Sequence, residues 1–452
     1  MTSGHYHLIG IGGAGMAPVA ELLAARGLTV SGSDARPSAV LERLRAKGID
    51  AREGHDAARV PQEATVVVST AVRPDNPELV RAEELGLAVV HRSEALVTAA
   101  GDQDFVAVAG AHGKTTTSAM LAVALTRVGA DPSYAIGGSV AGLGGGAHLG
   151  GGRVFIAEAD ESDGSFLNYR PDVGVITNIE ADHLDHYGSQ EAFETAFARF
   201  ADRVTGTLVV CTDDDGAARL AATRTVTTYG TGPAPRGTAR HVRITAPELG
   251  AHAARAVLDD GAGPVALELA VTGVHNLRNA TAAWCAGVAL GADRHELARG
   301  LAHFRGTGRR FELRGQAGGV RVVDDYAHHP TEVAATLAAA RVSAAAGRVL
   351  VLFQPHLYSR TRTFAGEFAE ALSAADVVVV TDVYAAREDP EPGVDGGLIA
   401  GRVPGAEYVA DAAGAAARVA ELARPGDIVL TMGAGDVTEL GPVILQHLAG
   451  QQ

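Results

Sequence analysis

The chain has 452 residues, 47% of them hydrophobic, which is too long for one hydrophobic core and indicates roughly three domains. Its formal charge of −15, from 38 basic and 53 acidic side chains, argues against nucleic acid or an anionic membrane surface as the main partner. The two cysteines have no metal-ligand spacing and no stretch reaches about 18 apolar residues, so we expect a cytoplasmic protein without a disulfide framework or a membrane span.

The first predicted elements form a nucleotide-binding motif. A strand at residues 7–11 runs into the glycine-rich segment 10–16, a helix follows, and a second strand ends at Asp34. Asp34 follows Gly15 by 19 residues, which is typical of the dinucleotide fingerprint, whose glycines admit a diphosphate and whose acid binds a ribose hydroxyl. A nucleotide diphosphate would fit equally well, and Asp34 could instead be a turn or capping acid. Further alternation of strands and helices predicts a Rossmann-like domain over residues 1–102.

A second glycine-rich loop follows the next predicted strand. Residues 105–109 are apolar and lead into a loop and a strong helix sequence. In such a loop, backbone N–H groups and the positive helix terminus suit phosphate oxygens, a lysine reaches the terminal phosphates, and the next hydroxyl can hold magnesium. The strict phosphate-loop pattern requires glycine where this chain has Val108, so the motif is a variant; a glycine-rich turn with an incidental lysine is the alternative. The loop comprises Gly110, Ala111, His112, Gly113, Lys114, Thr115 and Thr116.

An acidic cluster and a histidine come next in the chain. The predicted strand at 153–157 ends in a cluster that begins with Glu158, and a polar segment containing His183 follows the strand at 173–177. Parallel strands present their carboxyl ends at one sheet edge, so both side chains should face Thr115. Carboxylate, hydroxyl and imidazole could together bind magnesium, although imidazole is an uncommon ligand for this ion and a lone histidine is more often structural.

The pattern then changes to short apolar runs separated by turns. Between residues 204 and 271 these runs predict a small antiparallel sheet beside the P-loop-type central sheet. Asn276 and Asn279 lie three apart and share a helical face, where they could contact a base or a phosphate, although Asn276 could instead cap the helix. We assign residues 103–308 to a central ATP-binding domain.

The remaining residues return to alternating strands and helices. A predicted junction at residues 306–311 contains Arg310, and each later strand ends in a polar segment. Polar groups should therefore line one edge of a parallel sheet. We predict a second Rossmann-like domain over residues 309–452, and an α/β fold class for the three domains together.

Six of these segments, in this order, resemble the motifs of the Mur ligases. They are residues 10–16, 110–117, 158–166, 275–279, 324–332 and 353–356. The resemblance covers essentially the whole chain. It implies a three-domain enzyme that joins L-alanine to the lactyl carboxylate of UDP-N-acetylmuramate in peptidoglycan synthesis, using ATP and magnesium, through an acyl phosphate.

The resemblance also implies a role for each matched residue. The UDP-linked substrate would contact Gly12, Gly13, Ala14, Gly15, Asp34 and Ser69. ATP would contact the loop at 110–116 together with Asn276, Asn279, Arg310 and Asp325. Thr115 and Glu158 would hold one magnesium ion and His183 a second, and the amino acid would contact Tyr326, His328, His356 and Arg360. The catalytic residues would be Lys114, Glu158, His183, Arg310, His328 and His356.

Two positions depart from the family pattern. Ala111 stands where threonine is commonest, and Leu357 stands where some members have arginine. The second departure leaves Arg360 to hold the carboxylate of the amino acid. We hypothesise that His328 or His356 accepts the proton of the incoming amine or orients the amine, since a histidine titrates near neutral pH.

Three alternatives follow from parts of the pattern. An NAD(P)-dependent oxidoreductase would use the first glycine-rich segment and Asp34, but would leave Lys114, Glu158 and His183 without a purpose. A non-catalytic ATP-bound regulator would need the phosphate loop but not the amino-acid pocket. A sibling ligase would act in murein-tripeptide recycling or at a later step of the same synthesis. Only the resemblance of the motifs taken as a whole separates this chain from such a ligase. We expect a monomer or weak homodimer with no nucleic-acid or membrane partner.

Overall fold

The computed structural model describes residues 4–235, 238, 240–386 and 388–450. Three sheets follow one another along the chain, with five, ten and six strands, which confirms the α/β fold class. By its contacts, the chain groups into two compact units. The first unit contains the five-stranded sheet and most of the ten-stranded sheet, and the second contains residues 305–452 together with the segments 247–255 and 269–277. The boundaries after residues 102 and 308 stay predictions.

The first sheet is entirely parallel, with strand order β3-β2-β1-β4-β5. Its elements are β1 (His5–Ile9), α1 (Met16–Ala25), β2 (Thr29–Asp34), α2 (Ala39–Ala46), β3 (Asp50–Glu53), β4 (Ala64–Val68), α3 (Pro77–Glu84), β5 (Val89–His91) and α4 (Arg92–Ala100). β1 ends two residues before the predicted end because Gly10 has a φ of +78°. The strand order reverses at β1, so the loop at 10–15 lies where open α/β sheets bind ligands.

The second sheet has the order β15-β14-β13-β12-β11-β10-β6-β9-β7-β8. Its first elements are β6 (Asp104–Ala109), α5 (Lys114–Arg127), β7 (Ser133–Ala135), β8 (Ala147–His148), β9 (Val154–Glu158), β10 (Val173–Ile176), α6 (Leu184–Tyr187), α7 (Gln190–Arg203) and β11 (Thr207–Cys211). Then follow α8 (Asp215–Ala221), β12 (Thr227–Gly230), β13 (Arg240–Leu249), β14 (Ala254–Asp259), β15 (Pro264–Leu269), α9 (Val274–Ala289) and α10 (Arg294–Leu301). The strands expected to form a small separate sheet continue the central one, because β13 pairs in parallel with β12.

The third sheet has the order β16-β17-β21-β18-β19-β20, and β16 is antiparallel to β17. Its elements are β16 (Glu312–Ala317), β17 (Val320–Asp325), α11 (Pro330–Ala344), β18 (Val349–Phe353), α12 (Tyr358–Thr363), α13 (Ala365–Leu372), β19 (Val377–Val380), α14 (Gly397–Ala400), β20 (Glu407–Tyr408), α15 (Ala412–Leu422), β21 (Ile428–Met432) and α16 (Leu440–Gly450). The remaining pairs are parallel, so the polar segments after β17, β18 and β21 share one edge. Of the described helices, none has the length and apolar character needed to span a membrane.

Buried structure supports two loops at the edge of the central sheet, the phosphate loop before α5 and the acidic loop after β9. Residues 116–125 of α5 are all buried, and Gly300 of α10 brings the two helices so close that an added Cβ would lie 2.9 Å from Ala124 Cα. The acidic loop after β9 ends at Phe166, which is fully buried and stacks on Phe200 with ring centroids 5.2 Å apart. Both loops therefore start and end on rigid structure.

Candidate active site

The phosphate loop turns from β6 into α5 through two glycines with positive φ. Gly110 has a φ of +140° and Gly113 a φ of +83°. A Cβ on Gly110 would lie 2.0 Å from Thr177 Oγ1, and one on Gly113 would lie 2.6 Å from Asn279 Oδ1. Between them, the His112 N–H donates to Asn178 Oδ1 at 2.9 Å. The loop is thus shaped by backbone conformation and by close neighbours from α9 and from the segment that follows β10.

We expect Gly113→Ala to weaken ATP binding by about tenfold or more, because the new methyl group must displace Asn279 from the loop. Gly129→Ala is the matched control. Gly129 has a similar φ of +80°, but nothing lies within 4 Å of an added Cβ. Calorimetric titration with ATP and thermal unfolding of both variants separate the effect on the loop from backbone strain. Equal ATP affinities in the two variants would contradict the prediction.

Lys114 contacts a buried acid that sequence reasoning did not select. Its Nζ lies 2.8 Å from Glu161 Oε1 and donates to the Gly110 carbonyl at 2.7 Å. The Glu161 side chain is 1% exposed, and burial raises its pKa to about 7 although the Lys114 ammonium lowers it. His183 Nε2 lies 3.7 Å from the same oxygen of Glu161. Glu161 belongs to the predicted acidic cluster. The signal that could have selected it is its position in the sequence, three residues after Glu158.

Glu158 and Thr115 lie together, as the strand-end argument expects. Thr115 Oγ1 donates to Glu158 Oε2 at 3.0 Å, and the Gly137 N–H donates to Glu158 Oε1 at 2.6 Å. His183 lies on the side of Glu161, with a strained φ of +53°. Glu161 Oε2 is buried and has no hydrogen-bond partner among the residues that the structure describes. Thr115 with Glu158 and His183 with Glu161 thus form two pairs of donor groups, and each pair offers a carboxylate to a divalent cation.

The two asparagines lie within α9. This helix begins at Val274, so the interpretation of Asn276 as its cap is wrong. The Asn276 Nδ2 donates to the Thr272 carbonyl at 2.7 Å instead. Asn279 lies one turn later, where its Oδ1 faces Gly113.

At the first glycine loop, the structure places Asp34 beside Gly12. The Gly12 N–H donates to Asp34 Oδ2 at 3.0 Å, which is the contact of a turn acid. Ala14 and Gly15 complete the loop before α1, and Ser69 follows β4, the neighbouring strand at the same edge. Residues 12–15 and Ser69 therefore lie at one edge of the sheet, while the binding of ribose by Asp34 stays a prediction.

In the second unit, Arg310 lies in a strained turn. Its neighbours Arg309 and Phe311 have φ values of +58° and +51°. The Phe311 N–H donates to Asp325 Oδ2 at 2.8 Å, and Arg310 Nη1 lies 3.2 Å from Glu332 Oε1. Two left-handed residues that are not glycine cost about 1–3 kcal/mol each. The buried Asp325 thus holds the turn that presents Arg310.

The residues predicted to bind the amino acid form a continuous group. Tyr326 lies under the Arg310 guanidinium, whose carbon is 5.1 Å from the ring centroid. The rings of Tyr326 and His328 are 5.1 Å apart, and those of His328 and His356 are 5.9 Å apart. Arg360 Nη1 lies 3.4 Å from His356 Nδ1. Two further residues, which the sequence motifs did not single out, belong to the group. Tyr384 stacks on His356 with ring centroids 5.8 Å apart, and Glu332 faces both His328 and Arg310.

Asp325 makes stability depend on pH. Burial raises its pKa from 3.8 to about 6, although the Arg310 guanidinium and the N–H groups of Ala327 and Phe311 lower it. Between pH 3.8 and about 6, the folded state therefore binds more protons at this carboxyl than the unfolded state does. The contribution of Asp325 to the free energy of unfolding is present below about pH 4 and is lost as the pH rises through about 6.

We expect the free energy of unfolding of the wild type, relative to that of Asp325→Asn, to fall between pH 4.5 and 7 in urea titrations. Asp376→Asn is a control of opposite sign. The pKa of Asp376 is lowered, since its ion pair with Arg341 and its bond from the Val349 N–H outweigh desolvation. The stability relative to that variant should therefore fall with acidification. A flat difference for Asp325→Asn would contradict the assignment.

Comparison with known protein families gives three matching family models, which follow one another along the chain. The model of the Mur ligase family, catalytic domain, matches residues 5–103. The Mur ligase middle domain matches 108–287, and the Mur ligase, glutamate ligase domain, matches 309–435.

Individual relatives agree with the family models. The chain is 55% identical to UDP-N-acetylmuramate--L-alanine ligase of Kineococcus radiotolerans, over 99% of this chain and 96% of that protein. It is similar in structure to UDP-N-acetylmuramate-alanine ligase MurC from Thermotoga maritima, with a TM-score of 0.81, 27% identity and coverage of 99% and 100%. The murein peptide ligase mpl from Psychrobacter arcticus shares the fold, with a TM-score of 0.72, 23% identity and 98% coverage of both chains. The chain therefore belongs to the Mur ligase family.

Proposed function

We propose that this protein joins L-alanine to the lactyl carboxylate of UDP-N-acetylmuramate with hydrolysis of ATP, in the synthesis of peptidoglycan. The observation that carries the proposal is the 55% identity, over nearly the whole of both chains, to a ligase with this activity in its name. The amino-acid group around His328 and His356 gives it chemical support, since a regulator without catalysis has no use for such a pocket. Family membership also decides against an oxidoreductase.

The reaction needs an activated acid. A carboxylate at neutral pH is a poor electrophile, because attack by an amine would have to expel oxide. Transfer of the γ-phosphoryl group to the lactyl carboxylate forms an acyl phosphate and releases ADP. Attack by the amine of alanine then forms the amide bond, and the C–O bond to phosphate breaks. Both reactants of the first step are anions, so cations such as Lys114 and Arg310 must offset their repulsion.

Magnesium fits the edge of the central sheet. Thr115 and Glu158 would hold one ion and His183 a second, and Glu161 offers a carboxylate beside His183. When bound, the ions would offset phosphate charge in the first step. Lys114 holds phosphate oxygens, and Asn279 supports the loop from the other side of Gly113.

In the second unit, the pocket residues orient the amine. Arg360 is the guanidinium beside His356, and it suits the carboxylate of the amino acid. His328 and His356 are placed to accept the proton that the amine loses. Gln substitution of each histidine in turn should alter the pH dependence of kcat; an unchanged profile in both variants would overturn that role. We further propose a cytoplasmic protein that is a monomer or weak homodimer, testable by ultracentrifugation.

A single assay tests the function. ATP, Mg²⁺ and UDP-N-acetylmuramate are supplied with L-alanine, glycine, L-serine or the murein tripeptide in turn, and phosphate release and product mass are followed. We expect release that depends on every component and a product heavier by one alanine residue. The tripeptide arm tests the recycling ligase whose fold the chain shares. Turnover of the tripeptide without turnover of alanine would replace the proposed function by the recycling activity.

A further inference from the structure

Arg92 connects two loops that sequence motifs treat separately. It is the first residue of α4, and its Nη2 lies 2.5 Å from Asp160 Oδ2 and 3.8 Å from Asp163 Oδ2. Asp160 precedes Glu161, the partner of Lys114. The side chain of Arg92 is 22% exposed, so it is largely enclosed.

The other terminal nitrogen of Arg92 lies against the glycine loop after β1. A Cβ added to Gly15 would lie 2.2 Å from Arg92 Nη1. Gly15 has φ −88° and ψ −20°, which is ordinary helical backbone that any residue adopts. The lack of a side chain at this position, and not its backbone conformation, therefore leaves the space that the guanidinium occupies.

The glycine loop itself provides no positive charge for an anionic ligand. The loop at 10–16 contains no basic side chain, and the chain as a whole carries a formal charge of −15. A diphosphate held there needs a cation from elsewhere in the chain, and the structure supplies Arg92. At the start of helix α1, which follows this loop, the Met16 and Ala17 N–H groups already donate to the Gly13 carbonyl at 3.0 and 2.9 Å, and Pro18 has no N–H group. The guanidinium of Arg92 is therefore the charged donor beside this loop.

We propose that Arg92 binds the diphosphate of the UDP-linked substrate through Nη1, and that its contact with Asp160 couples this site to the acidic loop beside Lys114. The inference rests on the proposed function for the identity of the ligand. The planar guanidinium can contact two anions at once. Asp160 and the diphosphate compete for its charge, so filling the UDP site weakens the hold of Arg92 on the loop that carries Glu161.

The first experiment measures equilibrium binding of UDP and of UDP-N-acetylmuramate to the full chain by calorimetry. We expect Arg92→Met to weaken both by about tenfold or more, and Arg92→Lys to weaken both by less, since a charged hydrogen bond is lost or reduced. Arg224→Lys is the matched control, because Arg224 is 25% exposed and pairs with Asp202 at 2.9 Å. Unchanged affinity in the Arg92 variants, or a loss confined to UDP-N-acetylmuramate, would overturn the proposal.

The second experiment tests whether Asp160 and the diphosphate compete for the charge of Arg92. Asp160→Asn removes the competing charge, so we expect UDP to bind severalfold more tightly. In the Arg92→Met background the same substitution should have no effect. A residue that only supports the fold would give weaker binding or no change in Asp160→Asn, and either result would overturn the coupling. Binding of UDP is measured without turnover, so an inactive wild type that still binds UDP through Arg92 would count against the proposed function and not against this inference.

Discussion

Replacing Lys114 with Met is expected to lower ATP-dependent ligation by about 10³-fold, because the charge that offsets phosphate repulsion is lost in a site that excludes water. The same change leaves Glu161 buried without its cation, 2.8 Å from the former position of Nζ. The pKa of Glu161 is already about 7, so the acid takes up a proton in the variant and the loss of unfolding free energy is limited to about 1–3 kcal/mol.

The double variant Lys114→Met/Glu161→Gln separates the two effects. It should regain most of the stability in urea titrations, since position 161 no longer has to take up a proton to avoid an unpaired buried charge, while its ligase activity stays lost. Lys47→Met is the matched surface control, because Lys47 pairs with Glu21 at 2.7 Å but is 50% exposed. That variant should change stability by less than about 0.5 kcal/mol and leave kcat unaltered. Ligation within threefold of the wild type in Lys114→Met would exclude the phosphate-binding role.

Glu158→Gln is expected to raise the Mg²⁺ concentration for half-maximal activity by about tenfold and to lower kcat by about 10²-fold, since a metal-binding carboxylate becomes a weaker neutral ligand. The fold should persist. A glutamine can accept from the Gly137 N–H with its oxygen and donate to the Thr115 hydroxyl with its nitrogen, which keeps both contacts of Glu158. Magnesium titrations of the steady-state rate provide the measurement.

Asp104→Asn provides the control for this change. Asp104 begins β6, the strand beside β9, and pairs with Arg153 at 2.6 Å. It therefore carries a carboxylate at the opposite edge of the same sheet. Its loss should leave the magnesium dependence as it is in the wild type. A normal magnesium requirement in Glu158→Gln would mean that Glu158 only positions Thr115 and Gly137.

Local patterns in the sequence predicted those parts of the site that consist of one strand and the loop directly after it. The loop at 110–116 runs from β6 through two glycines to the start of α5, all contiguous in the chain, although its contacts with Asn178 and Asn279 come from elsewhere. The same is true of the first glycine loop after β1. Parallel strands then bring the ends of β6 and β9 to one edge, so the proximity of Thr115 and Glu158 also follows from the strand pattern.

The sequence by itself thus determined the three αβ units, the family motifs and the loops at the strand ends. Only the tertiary structure decided that Glu161 pairs with Lys114, that Arg92 fills the space beside Gly15, and that Asp325 holds the turn of Arg310. These partners are separated by 14 to 77 positions along the chain, as the sequence numbering shows. Periodicity specifies which face of an element is buried, but which side chains meet across two elements depends on how those elements pack.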